Sequence, residues 1–212
     1  MNINTGELLL DRRKQSIALT LIVAFLLLCV LIFFYFFAFI PIEGDSMENT
    51  IYDKQYCLVQ RKFNTVSRGD IIVIEVPNEN KKGTHDIIKR VIGLGGDRII
   101  FMFDRDESKI ELYICKNKEN RFKKLNETYI KEPMSIKNFG DVAVLKYNPE
   151  LTSYNLDTID QKTYHDLDSK ITYVPENQVY FLGDNRNVSR DSRYYGARPI
   201  SDIKYKSLAV VY

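Results

Sequence analysis

The chain has 212 residues, 45% hydrophobic and 27% charged, enough for one ordinary domain with room for a subdomain. Its net charge is only +2, and its short basic clusters, such as "RFKK" at 121–124, are interleaved with acids; a nucleic-acid binder would carry a strongly basic domain or stripe, so no nucleic-acid partner is expected. Three cysteines, Cys29, Cys57 and Cys115, make neither a disulfide framework nor a metal-binding Cys-x-x-Cys, so free thiols, no metal and no cofactor are the expectation.

Residues 1–16 hold Arg12, Arg13 and Lys14 against Glu7 and Asp11. An uncharged apolar run, "IALTLIVAFLLLCVLIFFYFFAFI", follows at 17–40. As a helix rising about 1.5 Å per residue it would span roughly 36 Å, against about 30 Å for a bilayer's hydrocarbon core. A cleaved signal peptide has a shorter apolar region ending in small residues, whereas this run ends in "FYFFAFIP". The run therefore reads as an uncleaved anchor. Basic residues precede it while Glu43 and Asp45 follow it, which predicts a single-pass protein of the cell membrane. Residues 1–16 would be a cytoplasmic tail and the remainder extracytoplasmic.

Directly after the anchor comes "IEGDSMENTI", with Ser46 between an acid and a methionine. Tyr (14) and Phe (12) are abundant, and the sequence beyond is mainly strand-like. "YCLVQRKF" and "GDIIVIEVP" are short aromatic or β-branched runs closed by turn residues. "HDIIKRVIGLGGDRIIF" at 85–101 reads as two strands around a glycine turn; its "GLGG" lacks the G-x-G-x-x-G spacing of a phosphate loop. Residues 104–172 are polar and weakly patterned, with short strand candidates "IELYICK" and "DVAVLKY", and read as an inserted subdomain. A strand running into a long polar loop, "QVYFLGDNRNVSRDSRYYGARPI", and a last strand, "SLAVVY", close the chain. The predicted fold is mostly β: an N-terminal transmembrane helix, then a β domain built from 41–103 and 173–212, with the β-rich insert 104–172.

A serine nucleophile needs a base within hydrogen-bond reach. His85 and His165 are each followed by an aspartate, so a Ser-His-Asp triad is arithmetically open. Lys89 is the stronger candidate. Alternation places it on the same strand face as Ile87 and Val91, where partial desolvation would lower its pKa and let it serve as a general base. The plainer alternative is a lysine snorkelling to the surface from an edge strand.

Three stretches together resemble the bacterial type I signal peptidases, membrane-anchored serine/lysine proteases that remove signal peptides from exported proteins. "GDSMENTI" resembles the family's nucleophile box, Gly-x-Ser-Met-x-Pro-Thr-Leu. "RGDIIVIEVP" followed by "IIKRVIGLGGDRI" resembles the strand pair that carries the lysine. "GDNRNVSRDSRYYG" resembles the last box, Gly-Asp-Asn-Arg-x-x-Ser-x-Asp-Ser-Arg. The short single anchor is similar to that of Gram-positive members. The resemblance implies that Ser46 is the nucleophile and Lys89 the general base. It implies that Ser189 orients the lysine, that Asp191 and Arg193 form a supporting pair, and that Asp184, Asn185 and Arg186 belong to the box. Ile42, Ile88 and Met47 would be substrate-binding residues, Ile42 and Ile88 lining shallow pockets for small side chains and Met47 lying beside the nucleophile. Ser46 and the loop at Gly44 would form the oxyanion hole. The implied partners are membrane-inserted preproteins with small-x-small cleavage sites, and the lipid bilayer. Two departures stand out: Asn49 replaces the usual proline, which would loosen the turn, and Gly44 stands where some relatives have a serine hydroxyl. Rival readings on the same scaffold are a specialised pilin-processing enzyme and a non-catalytic assembly chaperone.

Overall fold

The computed structural model describes residues 5–78, 82–104, 109–135, 144–146 and 170–211. The chain divides into two units, Met1–Ala38 and Phe39–Tyr212.

The first unit is helical. α1 covers Thr5–Phe36, and within Arg12–Phe36 an 18-residue stretch has a mean hydropathy of 3.2 and none of it is buried, so the segment is long and apolar enough to cross a membrane. The helix stops short of Ile40. Residues Phe37–Pro41 are extended instead, as strand β1. Aromatic and β-branched residues favour that state, and the residue before a proline is pushed out of the helical region.

The second unit is β-rich, as its composition led one to expect. Its strands are β2 (Tyr56–Gln60), β3 (Ile71–Pro77), β4 (Thr84–Leu94), β5 (Arg98–Asp104), β6 (Lys109–Cys115), β7 (Lys123–Lys124), β8 (Val144–Lys146), β9 (Thr172–Tyr173), β10 (Gln178–Leu182), β11 (Arg198–Pro199) and β12 (Ile203–Val211). One sheet has seven strands in the order β1-β2-β12-β3-β4-β10-β11. The other runs β7-β6-β5-β8, with β9 also paired to β5. β6, β7 and β8 thus extend the sheet begun by β5.

Apolar alternation fixes the pairing. Ile72, Ile74 and Val76 of β3, Val91 of β4, and Val179 and Phe181 of β10 share one core. Ile99 and Phe101 of β5 join Ile110, Leu112 and Ile114 of β6 in another. Gly96 takes φ +83 in the tight turn from β4 to β5, a conformation that costs a glycine little.

β4 positions the site. It lies between β3 and β10, not at an edge. Lys89 pairs with Ile72 of β3, and Arg90 faces Leu182 of β10. A bulge between Tyr180 and Phe181 shifts the β10 register, and Leu182 is the last residue before the polar loop. That loop therefore begins beside Lys89 and Arg90.

Candidate active site

Ser46 sits half-buried in a turn closed by amide bonds from Glu48 to the Asp45 carbonyl and from Thr50 and Ile51 to the Met47 carbonyl. Lys89 is 3% exposed. Its Nζ donates to Ser46 Oγ at 2.7 Å and to the Ile88 carbonyl at 2.7 Å. Burial brings the amine down from its ordinary 10.5 to about 8; Asp191 and Asp184 pull the other way without offsetting it. An amine of that pKa has an appreciable neutral fraction near neutral pH, and the neutral form can accept a proton across the same 2.7 Å contact. The snorkelling alternative does not hold for a central strand and a side chain this enclosed.

The polar loop locks onto the turn of Ser46. Asn185 N donates to the Ser46 carbonyl at 3.1 Å. Gly183 packs so tightly that a Cβ there would overlap the Ser46 carbonyl oxygen and the Ser189 side chain. Asp191 is fully buried and receives Arg193 Nε and Nη2, each at 2.9 Å, together with Gly183 N at 3.0 Å. Arg193, 7% exposed, also donates to the Ser189 carbonyl at 3.2 Å. The pair therefore braces both ends of the loop.

Ser189 is the exception. Its Oγ is buried and has no hydrogen-bond partner among the described residues. The expected orienting bond to Lys89 is not made; the Ile88 carbonyl takes that place on the amine.

A second ion pair joins all three sequence boxes. Asp184 accepts Arg90 Nε at 2.9 Å and Nη2 at 2.6 Å, and it also accepts the Thr50 hydroxyl. Thr50 belongs to the turn of Ser46, Arg90 follows Lys89, and Asp184 opens the polar loop. The Arg90 guanidinium lies 4.1 Å from the centroid of the Tyr129 ring. Arg186 in turn pairs with Glu127 and donates to the Gly183 carbonyl at 3.0 Å. Glu127 and Tyr129 come from the weakly patterned stretch, where no periodicity could have marked them.

Two cavities meet at Ser46 and Lys89. One, of about 290 Å³, is lined by Ile40 to Glu43, Val73, Asp86 to Ile88 and Tyr205. Ile42 and Ile88 are among its walls, but Met47 is fully buried and lines neither cavity, because its side chain points into the core under the turn. The other, of about 430 Å³, is lined by Glu43, Gly44, Asn78, His85, Ile87, Arg190 and Tyr195. His85 thus lines a cavity with Ser46, yet Lys89 is the group bonded to Ser46 Oγ. His165 lies outside the described residues. A larger cavity of about 510 Å³, between β6 and residues 124–134, touches neither Ser46 nor Lys89.

Gly44 has φ +86, and its amide donates to Asp53 Oδ1 at 2.8 Å. That N–H is engaged, so the Gly44 part of the expected oxyanion hole has no free donor in this arrangement. The Ser46 amide donates to no acceptor among the described residues. Asn49 has φ +89, which proline cannot adopt. Its turn is not a loosened version of a proline turn but one with a different backbone. Cys57 and Cys115 are buried free thiols.

The family profile described as "Signal peptidase, peptidase S26" matches residues 14–212. The chain belongs to this signal peptidase family. It is 31% identical over 177 residues to signal peptidase I of Streptococcus pneumoniae, covering 80% of this chain and 79% of that one. It is 33% identical over 176 residues to signal peptidase I of Buchnera aphidicola, covering 70% of this chain but only 54% of the relative, so it spans about half of that protein's length. Signal peptidase I P of Bacillus subtilis subsp. natto is 29% identical over 195 residues, with 86% and 82% coverage. A solved signal peptidase I from Enterococcus faecalis V583 is 23% identical, aligning over 70% of this chain and all of its own at a TM-score of 0.40. The signal peptidase assignment rests on the sequence matches.

Proposed function

We propose that this chain is a membrane-anchored endopeptidase that removes signal peptides from exported preproteins through a Ser46–Lys89 dyad. The observation that carries the reading is the 2.7 Å contact between a buried, pKa-lowered amine and the Ser46 hydroxyl. Lys89 in its neutral form takes the proton as Ser46 Oγ attacks the scissile carbonyl. The leaving amine then takes a proton from the Lys89 ammonium, leaving an acyl-enzyme. Lys89, neutral again, activates the water that hydrolyses the ester. This is the serine/lysine form of nucleophile–base logic.

Negative charge on the carbonyl oxygen needs donors already aimed at it. The Ser46 amide is the first. Gly44 contributes a second only by giving up Asp53. Asp184, Asp191, Arg193 and Gly183 are positioning residues that hold the Ser46 turn against β4, and Ser189 sits within this brace. Ile42, Ile88, Val73 and Tyr205 give the smaller cavity apolar walls that suit small side chains, in keeping with small-x-small cleavage sites. α1 supplies the anchor, with residues 1–16 cytoplasmic and the body outside, so the site meets substrates that are themselves membrane-inserted. The presence of both Ser46 and Lys89 speaks against a non-catalytic assembly role.

Incubation of the detergent-solubilised full chain with a panel of preproteins, with mass analysis of the products, tests this. Cuts after small-x-small sequences are expected from the wild type and none from Ser46→Ala or Lys89→Ala. Processing by either purified variant would sink the dyad.

A further inference from the structure

We infer that Tyr129, held by Glu127, is a positioning residue for the Ser46–Lys89 pair: its ring caps the Arg90 guanidinium and so keeps the strand of Lys89 aligned with the turn of Ser46. The inference rests on the reading of those two residues as the reacting pair. The edges of the guanidinium are taken by hydrogen bonds. Nε and Nη2 meet the Asp184 carboxylate two-pronged, Nη1 donates to the Gly69 carbonyl at 2.9 Å, and Nη2 also reaches Thr50 Oγ1 at 3.4 Å. Its face is covered by Tyr129, 4.1 Å from the ring centroid. Stacking is what a planar, weakly hydrated guanidinium offers in that direction. The ring also keeps water from one side of the Arg90–Asp184 pair, and charges shielded from water attract more strongly.

Tyr129 is itself fixed. Its hydroxyl donates to Glu127 Oε1 at 2.7 Å. The Ile130 amide donates to the Glu127 carbonyl at 3.0 Å, closing the turn that sets the two side chains together. The stretch is tied to β6 at both ends, by the Leu125 amide on the Leu112 carbonyl at 2.8 Å and by the Ile110 amide on the Met134 carbonyl at 3.1 Å. It runs along the polar loop. Glu127 accepts from Arg186, whose Nε holds the Gly183 carbonyl. Asn187 Nδ2 donates to the Pro133 carbonyl at 3.1 Å, and its Oδ1 accepts from the Ser135 amide at 2.8 Å. One strap thus reaches Lys89 through Arg90, and Ser46 through Arg186 and Gly183. Neither Glu127 nor Tyr129 lines the two cavities that meet at Ser46 and Lys89. The effect of Tyr129 therefore falls on turnover and not on substrate affinity.

The test uses the full chain in detergent and one preprotein. Tyr129→Leu, which removes the ring, is expected to lower kcat about ten- to hundredfold, the scale of a displacement of up to about 1 Å at a reacting group, while KM stays within about twofold of wild type. Tyr129→Phe keeps the ring and should recover most of that loss. Because the ring acts through Arg90, Tyr129→Leu should cost little more in an Arg90→Lys background, where the ammonium is a point charge without a plane to stack on; residues coupled through one partner are not additive. A second readout requires no cleavage: alkylation of Ser46→Cys by iodoacetamide, followed at residue 46 by mass analysis. An amine beside the thiol favours the reactive thiolate, so adding Tyr129→Leu should slow alkylation about three- to tenfold and adding Tyr129→Phe should not. Slowed alkylation without turnover in the wild type would support the positioning role while sinking the peptidase reading. An unchanged kcat in Tyr129→Leu, a loss that Tyr129→Phe shares in full, or one equally large in the Arg90→Lys background would overturn it.

Discussion

Replacing Lys89 with methionine separates what the buried amine does for chemistry from what it costs the fold. Methionine is unbranched and adaptable, so it can occupy the lysine's slot without a carboxylate-facing charge. Lys89 falls from 10.5 to about 8 on folding because burial disfavours its ammonium. At about 1.36 kcal/mol per pH unit this amounts to about 3 kcal/mol. The sign follows from linkage: between about pH 8 and pH 10.5 the unfolded chain holds a proton that the folded chain has released, so wild-type stability rises with pH across that window. The cost is full below pH 8 and gone above 10.5. Lost hydrogen bonds and altered packing in Lys89→Met shift the baseline but not its pH dependence. Urea unfolding of both proteins at matched ionic strength should therefore show the variant losing about 2–3 kcal/mol relative to wild type between about pH 6 and about pH 10. A difference that stays constant over that range would mean Lys89 titrates as an ordinary lysine, and the reasoning from burial would fail.

Gly183→Ala should force the polar loop and the Ser46 turn apart, since the added methyl meets the Ser46 carbonyl oxygen and Ser189. A displacement of about 1 Å at a reacting group can cost about 10²-fold, read in kcat with an unchanged circular dichroism spectrum. Arg193→Ala leaves Asp191 buried and unpaired, and should cost about 3–5 kcal/mol in urea unfolding; a loss under about 1 kcal/mol would place the pair with exposed ones. Gly44→Ser and Gly44→Ala should both reduce activity to a similar extent, because φ +86 strains either side chain. A gain confined to Gly44→Ser would restore the idea that a hydroxyl donor is what this position lacks.

The apolar helix and the β-rich body were legible because hydropathy and alternation are local signals. Its C-terminal limit was less so: the run stays apolar to Ile40, and only the aromatic content and Pro41 hint that Phe37 onward is extended. Lys89 shows where local pattern ends. Alternation puts it on a face with Ile87 and Val91, but whether that face is an edge or a centre depends on β10, some ninety residues later, lying beside β4. The Arg90–Asp184 pair was hidden for the same reason, although both residues stood inside quoted motifs. Met47 looked like a wall of the site by its place next to Ser46, yet a turn residue's neighbour can point inward, and it does. At Gly44 the sequence shows only that a serine hydroxyl is missing; the positive φ, invisible in the sequence, points to the backbone as the reason for glycine.

The dependence of kcat/KM on pH, measured on one preprotein with wild type and His85→Ala, tests the Ser46–Lys89 pair most directly. If neutral Lys89 is the base, the rate should climb about tenfold per pH unit below its pKa of about 8 and level off above it. That limb should be unchanged in His85→Ala and in His165→Ala. A profile with its midpoint near 6.5, the ordinary histidine range, that disappears in either histidine variant would contradict the lysine dyad.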